Sequence, residues 1–187
     1  CVIETKPIVY KVEETGLYLG GERSGKWLGY HPNGTVEYEG LYENGNREGK
    51  WIYYYENGKI SHEGNFEKDL QNGSWNYYYE SGKLKETGGW LDDVANGLWK
   101  YYFENGALSQ TGYWLNHNQH GKWTFYFESG VIEEEGEYLE GKQNGKWNYY
   151  YENGTIHKSG NWENDQNHGE WLYYHPNGKL EKKGTWQ

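Results

Sequence analysis

The stretch Gly49-Lys50-Trp51-Ile52-Tyr53-Tyr54-Tyr55-Glu56-Asn57-Gly58 decides the fold, because close copies of it follow one another along the 187-residue chain. One tryptophan recurs every 24 residues without an insertion: Trp27, Trp51, Trp75, Trp99, Trp123, Trp147 and Trp171. Each has a glycine two residues before it and another seven residues after it. Self-similarity at a fixed period of this length indicates a repeat architecture.

Each repeat is predicted to be one β-hairpin. Residues 51–56 are β-favouring, and residues 59–66 form the returning strand. Asn57-Gly58 lies between them and is typical of a two-residue type I′ turn. Five repeats have Asn-Gly there, whereas Ser81-Gly82 and Ser129-Gly130 are expected to form weaker turns. The polar stretches between repeats, such as residues 67–72 and 116–120, are predicted to be loops.

The two-residue turn fixes the expected pairing across the hairpin. The expected pairs are Tyr55 with Ile60, Tyr53 with His62, and Trp51 with Gly64. A glycine opposite each tryptophan would give the indole a flat backbone to lie on. These glycines are Gly40, Gly64, Gly88, Gly112, Gly136, Gly160 and Gly184. An aliphatic series from Val12 to Leu180 and an aromatic series from Tyr18 to Trp186 are predicted on the same face, which is expected to form the structural core.

The opposite face carries a tyrosine in every repeat: Tyr30, Tyr54, Tyr78, Tyr102, Tyr126, Tyr150 and Tyr174. A series of phenols on a mostly polar face is the strongest candidate for a contact surface. The alternative is cross-strand packing that only stiffens a single-layer sheet. Because a β-bulge would exchange the two faces, the assignment of each series to a face depends on the register.

The composition limits the classes of partner. The formal net charge is −10, and the chain shows no clustered Lys/Arg surface of the kind that binding nucleic acid or anionic lipid requires. The lone cysteine, Cys1, excludes a disulfide framework. A cysteine at the first position resembles that of a mature bacterial lipoprotein, which would place the protein outside the cytoplasm, anchored by acyl chains on Cys1. A trimmed chain, or a cytoplasmic location, is the alternative.

The repeat Gly49 to Gly58, followed by Glu63-Gly64-Asn65-Phe66, resembles the bacterial variant of the MORN (membrane occupation and recognition nexus) repeat. The resemblance covers residues 12–187, as a half repeat and seven full repeats, and leaves residues 1–11 as a tether or first strand. It implies an all-β fold, an elongated single-layer antiparallel sheet of tandem hairpins. The family's repeats are chiefly protein-interaction and self-association modules, and lipid binding is ascribed to some.

The residues that depart from the repeat are the candidates for chemistry, since an active site needs unlike groups at one place. His31 and His175 stand in the first and last full repeats and are interpreted as capping features. His117 and His120 share a stretch without a carboxylate or cysteine at matched spacing, a weak metal signal. The run 133–137, with four glutamates, is interpreted as solvated charge. No catalytic motif appears, so neither an enzyme, a metal nor a cofactor is expected.

The sequence therefore favours a non-enzymatic protein-interaction scaffold, as a surface or periplasmic lipoprotein within a larger assembly. A first alternative is binding of a glycan, the cell wall or a small ligand, because aromatic series on hairpin repeats also resemble choline-binding modules. A second alternative is an antitoxin-like partner of a toxin. Self-association is compatible with each of these.

Overall fold

A computed structural model describes residues 12–186, in which sixteen strands form one antiparallel sheet. Apart from β8, the strands follow the chain order across the sheet, and each pairs with the strands next to it in that order. The short β8 pairs only with β7, so β9 is the next strand beside β7. No helix that could cross a bilayer occurs in this part of the chain. The predicted all-β single-layer sheet of tandem hairpins is confirmed. Cys1 and the tether 1–11 lie outside the described residues, and the predicted lipid anchor stays a prediction.

The strands are β1 (Glu14–Leu19), β2 (Glu22–Tyr30), β3 (Val36–Glu43), β4 (Asn46–Tyr54), β5 (Ile60–Glu67), β6 (Leu70–Tyr78), β7 (Leu84–Leu91), β8 (Val94–Ala95), β9 (Gly97–Tyr102), β10 (Leu108–Leu115), β11 (Asn118–Tyr126), β12 (Ile132–Leu139), β13 (Lys142–Tyr150), β14 (Ile156–Glu163), β15 (Gln166–Tyr174) and β16 (Leu180–Trp186).

The turn within a repeat differs from the predicted type I′ turn. Gly58 N donates to Tyr55 O at 2.9 Å, and Tyr55 N donates to Lys59 O at 2.8 Å, so the loop has three residues. Only Gly58 has a positive φ, of 79°, which is the pattern of a type I turn followed by a left-handed residue. Asn57 instead uses its side chain, whose Oδ1 accepts from Lys59 N and whose Nδ2 donates to Glu80 O of the next repeat.

The type I′ turns lie between the repeats, where loops were predicted. Glu67 pairs with Leu70, and the two residues between them, Lys68 and Asp69, have φ values of 50° and 69°. Two positive φ values in a two-residue loop define a type I′ turn. Asp69 N donates to Arg47 O at 3.1 Å, so this turn bonds to the start of β4, beside the equivalent turn of the preceding repeat. The prediction of loops at residues 67–72 and 116–120 was wrong, because only two residues of each stretch form a turn, the others belong to strands, and bonds to the preceding repeat order them.

The extra residue of each three-residue loop shifts the register of the hairpin. Trp51 pairs with Gly64 and Tyr53 with His62, as predicted, but Ile60 pairs with Tyr54 and not with Tyr55. A bulge at Ser61 restores the predicted pairing from Tyr53 onward, so only the residues nearer the turn change face. The aliphatic series therefore lies on the face of the Tyr54-type residues. Val36 accordingly lines a shallow surface cavity together with Tyr54. The prediction that the aliphatic residues share the tryptophan face was wrong for this reason.

A second bulge explains why a glycine stands two residues before each tryptophan. Between β5 and β6, Glu63 pairs with Asn76 and Asn65 with Asn72, so Gly64 alone faces three residues of β6. Gly73 supplies the positive φ, of 70°, that this bulge requires. The bulge brings the indole of Trp75 over Gly64, where a Cβ would collide with the ring. The glycines of this series from Gly40 to Gly160 are thus covered by the tryptophan of the following repeat, and not by their own cross-strand partner as predicted. Gly184, in the last repeat, has no such cover among the described residues.

The core is this series of tryptophans. The seven indole-bearing residues of the series are between 0% and 4% exposed, although the sheet has no second layer. Trp75 shows how this is achieved, since Phe66 packs edge-on at 5.1 Å and Tyr77 stacks at 6.1 Å between ring centroids. Its Nε1 donates to Asn65 O at 3.2 Å, which satisfies the only polar atom of the ring. The sheet is therefore stabilised by buried aromatic side chains on one of its own faces.

Gly64→Ala is expected to destabilise the protein, because the new Cβ would displace the Trp75 indole from its buried position. Overpacking of this kind costs about 1–3 kcal/mol. The urea midpoint of unfolding should fall in this variant. Asn65→Ala, one residue along the same strand, is the control and should leave the midpoint nearly unchanged. A Gly64→Ala variant as stable as the parent would contradict this account of the core.

Glu140→Asn is expected to stabilise the protein. Glu140 has a φ of 53° in the type I′ turn it forms with Gly141, and asparagine tolerates this conformation better than glutamate. The gain should be a fraction of the roughly 1–2 kcal/mol that the left-handed conformation costs. Glu152→Asn makes the same change in a three-residue turn, at a position without a positive φ, and should not raise the melting temperature. Equal effects of both changes would argue against two distinct turn types.

Candidate binding surface

The sheet presents two chemically different faces. The tyrosine face carries the seven predicted contact tyrosines, the aliphatic series and many lysines and glutamates. The tryptophan face carries the buried indoles and the aromatic rings packed around them. Each face repeats every 24 residues, so a functional site must be found among the positions where the repeats differ.

Three tyrosines of the tyrosine face have hydroxyl groups that are bonded within the sheet. Tyr54 donates to Glu39 at 2.6 Å, and the equivalent bonds run from Tyr78 to Glu63 and from Tyr150 to Glu135, both at 2.9 Å. A lysine pairs with each glutamate; these are Lys26, Lys50 and Lys122. The lysine, and then the tyrosine hydroxyl, hold the pKa of Glu39 below its usual value. These three tyrosines therefore take part in cross-strand packing, which is the alternative that the sequence left open.

The other tyrosines of this face lack the glutamate. Thr87, Thr111 and Ser159 stand at the glutamate position of the corresponding pairs. Within the described part of the chain, no hydrogen bond is formed by the hydroxyls of Tyr102, Tyr126 and Tyr174. Tyr30 has only Thr15 Oγ1 at 3.4 Å. The contact role predicted for this series stays a prediction, and the structure divides the series into two groups.

On the tryptophan face, one line of cross-strand pairs runs perpendicular to the strands, and we call it the central row. One half of the row is the residue two positions after each core tryptophan: Gly29, Tyr53, Tyr77, Tyr101, Phe125, Tyr149 and Tyr173. The other half is the residue two positions before Gly16 and before each glycine of the series from Gly40 to Gly184. Its members lie on the strands between those of the first half: Glu14, Tyr38, His62, Glu86, Gln110, Glu134, Lys158 and Lys182. The first half is aromatic in every full repeat except that of Gly29. The second half is variable, with five residue types at its eight positions.

The rings of the central row pack against the core. Tyr77 lies 6.1 Å from Trp75 and 6.3 Å from Trp99, and the same stacking recurs along the sheet. Trp114 Nε1 donates to the hydroxyl of Tyr101 at 3.1 Å, which fixes that ring from the side. Burial raises the pKa of Tyr77 and of Tyr101 to about 12. These phenols are therefore neutral, fixed surfaces on either side of each variable residue.

At the N-terminal end, the central row is closed by contacts within the chain. Tyr38 lies over Gly29, where a Cβ would meet its ring, and its hydroxyl donates to Glu14 Oε2 at 2.8 Å. Glu14 also pairs with Arg23 at 2.6 Å. One repeat further on, His62 stacks on Tyr53 with 4.2 Å between ring centroids, and burial lowers its pKa.

In the middle of the row, the variable residues are carboxylates. Glu86 lies between Tyr77 and Tyr101, and Glu134 lies between Phe125 and Tyr149. Both are half-buried, and burial raises the pKa of each. The interpretation of the run 133–137 as solvated charge was therefore wrong for Glu134, because the strand alternation turns it toward the aromatic rings.

Two of the histidines singled out in the sequence, His31 and His117, have local side-chain partners. His31 Nε2 lies 2.8 Å from Tyr54 O, the equivalent of the bond that Tyr55 makes to Tyr78 O at 2.6 Å. His31 thus takes the place of a phenol in the first full repeat. His117 Nδ1 accepts from Ala95 N at 3.3 Å, so its side chain bonds the turn to β8 of the preceding repeat. Among residues 12–186, no group of three potential metal ligands occurs.

The sequence contained the signal for the central row, since Tyr53 was paired correctly with His62. Each further pair of the row follows from adding 24 to both members. The repeat pattern does not single out the row, because its distinguishing half does not repeat. The burial of Glu86 and Glu134 additionally depends on rings contributed by two neighbouring strands, which are separated from each carboxylate in sequence.

Comparison with protein families gives a match over most of the chain. A model described as MORN repeat variant matches seven segments, residues 23–44, 47–68, 71–90, 95–116, 119–140, 143–164 and 167–187. No curated protein matches the chain. The seven matched segments coincide with the seven full repeats defined by the tryptophan series.

Tyr54→Phe is expected to lower the free energy of unfolding by about 1 kcal/mol, because it removes the hydrogen bond to Glu39. Tyr102→Phe makes the same change at a hydroxyl without a partner in the sheet and should alter stability by less than about 0.5 kcal/mol. Chemical denaturation of the two variants checks the difference. Equal losses in both would show that the hydroxyl bond contributes nothing to the sheet.

Proposed function

Because the chain belongs to the MORN repeat variant family, we propose that it is a non-catalytic scaffold that binds a protein partner along its tryptophan face. Repeats of this family are generally protein-binding or membrane-binding modules. The observation that carries the proposal is the central row, in which fixed aromatic rings alternate with residues that differ from repeat to repeat. A row in which regularly spaced aromatic rings alternate with variable residues is suited to recognising an extended partner.

The chemistry of the row supports binding in preference to catalysis. Catalysis requires a nucleophile, a base and a stabilising donor to converge at one point. Along the central row, neighbouring variable residues are two strands apart, a separation of about 10 Å at the usual strand spacing. Side chains at that spacing act on separate groups of a partner. Rigid aromatic rings, in contrast, supply contact area at low cost in conformational entropy, as in the anchors of protein interfaces.

The tryptophan face is a better candidate than the tyrosine face for a physical reason. On the tyrosine face, three of the phenols and their glutamates already bond to one another. A partner binding there would have to compete with those bonds. On the tryptophan face, the rings of the central row pack laterally and present their remaining surface outward, so a partner adds contacts without breaking existing ones.

The test is site-specific photo-crosslinking in the cells that naturally make the protein. A benzophenone amino acid replaces Gln110 on the tryptophan face or, as the control, Lys100 on the tyrosine face. An aromatic replacement at position 110 should be tolerated, because His62 places an aromatic ring between two tyrosines at the same position of another repeat. We expect a discrete protein adduct from position 110 and little from position 100.

Each other outcome of this experiment has a definite meaning. An adduct from position 100 alone would assign the contact to the tyrosine face and overturn the proposed surface. If both variants fold and neither position gives a protein adduct, the protein-binding proposal is overturned. In that case the glycan or small-ligand alternative takes its place.

A further inference from the structure

Two carboxylates of the central row lack a direct ion-pair partner among the described residues, because Lys85 acts on Glu86, and Lys158 on Glu134, only from beyond ion-pair distance. Glu86 and Glu134 form no ion pair with any residue of the described range 12–186. Glu14, at the first position of the same row, differs, because Arg23 pairs with it. A carboxylate that is half-buried among rings and has lost part of its hydration is stabilised by an added cation.

The chain itself shows what the rings of the row accept. At the next variable position after Glu134, the ammonium of Lys158 lies 4.1 Å from the centroid of Tyr149 and 5.6 Å from that of Trp171. In the last repeat, Lys182 Nζ lies 4.8 Å from the Tyr173 ring. These distances are those of cation–π contacts, which are favourable where the cation is partly desolvated. The C-terminal end of the row thus supplies its own cations.

The acidic part of the row is bounded on both sides. The variable residues from β5 to β16 are, in order, His62, Glu86, Gln110, Glu134, Lys158 and Lys182. The two glutamates are separated by four strand intervals, or about 20 Å at the usual spacing. Cationic residues lie beyond Glu134, and His62 lies before Glu86. The acidic segment therefore matches a ligand of limited length with two positive groups.

We propose that Glu86 and Glu134, with the rings beside them, bind two lysine or arginine side chains of an extended segment of the protein partner. Glu86 takes one cation between Tyr77 and Tyr101, and Glu134 takes the other beside Phe125. An extended chain advances about 3.3 Å per residue, so the two cations are about six residues apart. An even separation places both side chains on the same side of the segment. The inference rests on the proposed scaffold function and specifies the chemistry of its partner.

The test is a titration of the full chain with a synthetic nine-residue serine peptide, blocked at both ends, with lysines at its second and eighth positions. Binding is followed by NMR chemical shifts of the indole N–H groups. The double variant Glu86→Gln with Glu134→Gln removes both carboxylates, and Gln110 shows that the row accommodates glutamine. The control double variant, Glu104→Gln with Glu133→Gln, removes the same charge at exposed positions.

We expect the dissociation constant to rise about tenfold in the Glu86 and Glu134 variant, from the loss of two contacts of ordinary strength. It should change less than about twofold in the control. Equal weakening in both would show only a general attraction to an acidic protein and would overturn the inference. Equally strong binding of a peptide whose two lysines are adjacent would also overturn the inference. The absence of saturable binding of the nine-residue peptide would overturn it as well.

Phosphatidylcholine vesicles, which present a different cation, form a separate arm of the experiment. Cosedimentation that depends on Glu86 and Glu134, but not on the control residues, would overturn the assignment to protein side chains in favour of a lipid headgroup. The proposed function fails on a different result, the absence of a crosslinked protein from position 110. If a protein partner is crosslinked but peptide binding does not depend on Glu86 and Glu134, the scaffold function is retained and only the cation-binding role is overturned.

Discussion

The structure depends on one contact, the indole of each core tryptophan lying on a glycine of the preceding hairpin. A single-layer sheet has no opposing layer to cover its apolar side chains, so each large ring must be covered by its neighbours. The bulge at the Gly73-type glycine carries the indole sideways onto the Gly64-type glycine, and edge-on rings then enclose it. Since the two residues of this contact belong to different repeats, the contact also joins the hairpins into one array.

The opposite requirements of burial and recognition are met on the same face. Binding surfaces in small proteins are commonly built on loops held by a separate core. In this chain, the rings that bury Trp75 and Trp99 are also the rings that flank Glu86, so the core and the candidate surface share side chains. The core indoles are all buried although the variable residue differs between repeats, as with Tyr38, Glu86 and Lys158. Specificity can therefore differ between repeats while the fold is kept.

Much of this could be predicted from the sequence, because periodicity reports directly on architecture. The period, the hairpins, the buried tryptophans and the pairs Trp51 with Gly64 and Tyr53 with His62 all follow from spacing. The turn types do not, since Asn57 places its side chain on the next repeat and Asp69 accepts from Arg47 of the previous one. Contacts between repeats thus select the turn, and local propensity cannot show them. The face of the aliphatic series was predicted wrongly for the same reason, because one additional residue in the turn places these side chains on the opposite face of the sheet.

The uninterrupted 24-residue period has a consequence for how such a surface changes in evolution. Two variable positions of the central row are separated by a whole number of hairpins, since an inserted or deleted residue would break the indole–glycine contact at that junction. Gain or loss of one entire hairpin leaves every remaining junction intact. The distance between two recognition points is therefore quantised in steps of about 10 Å, the width of two strands. In a sheet of this kind the spacing between recognition points is fixed, and only the number of hairpins can vary.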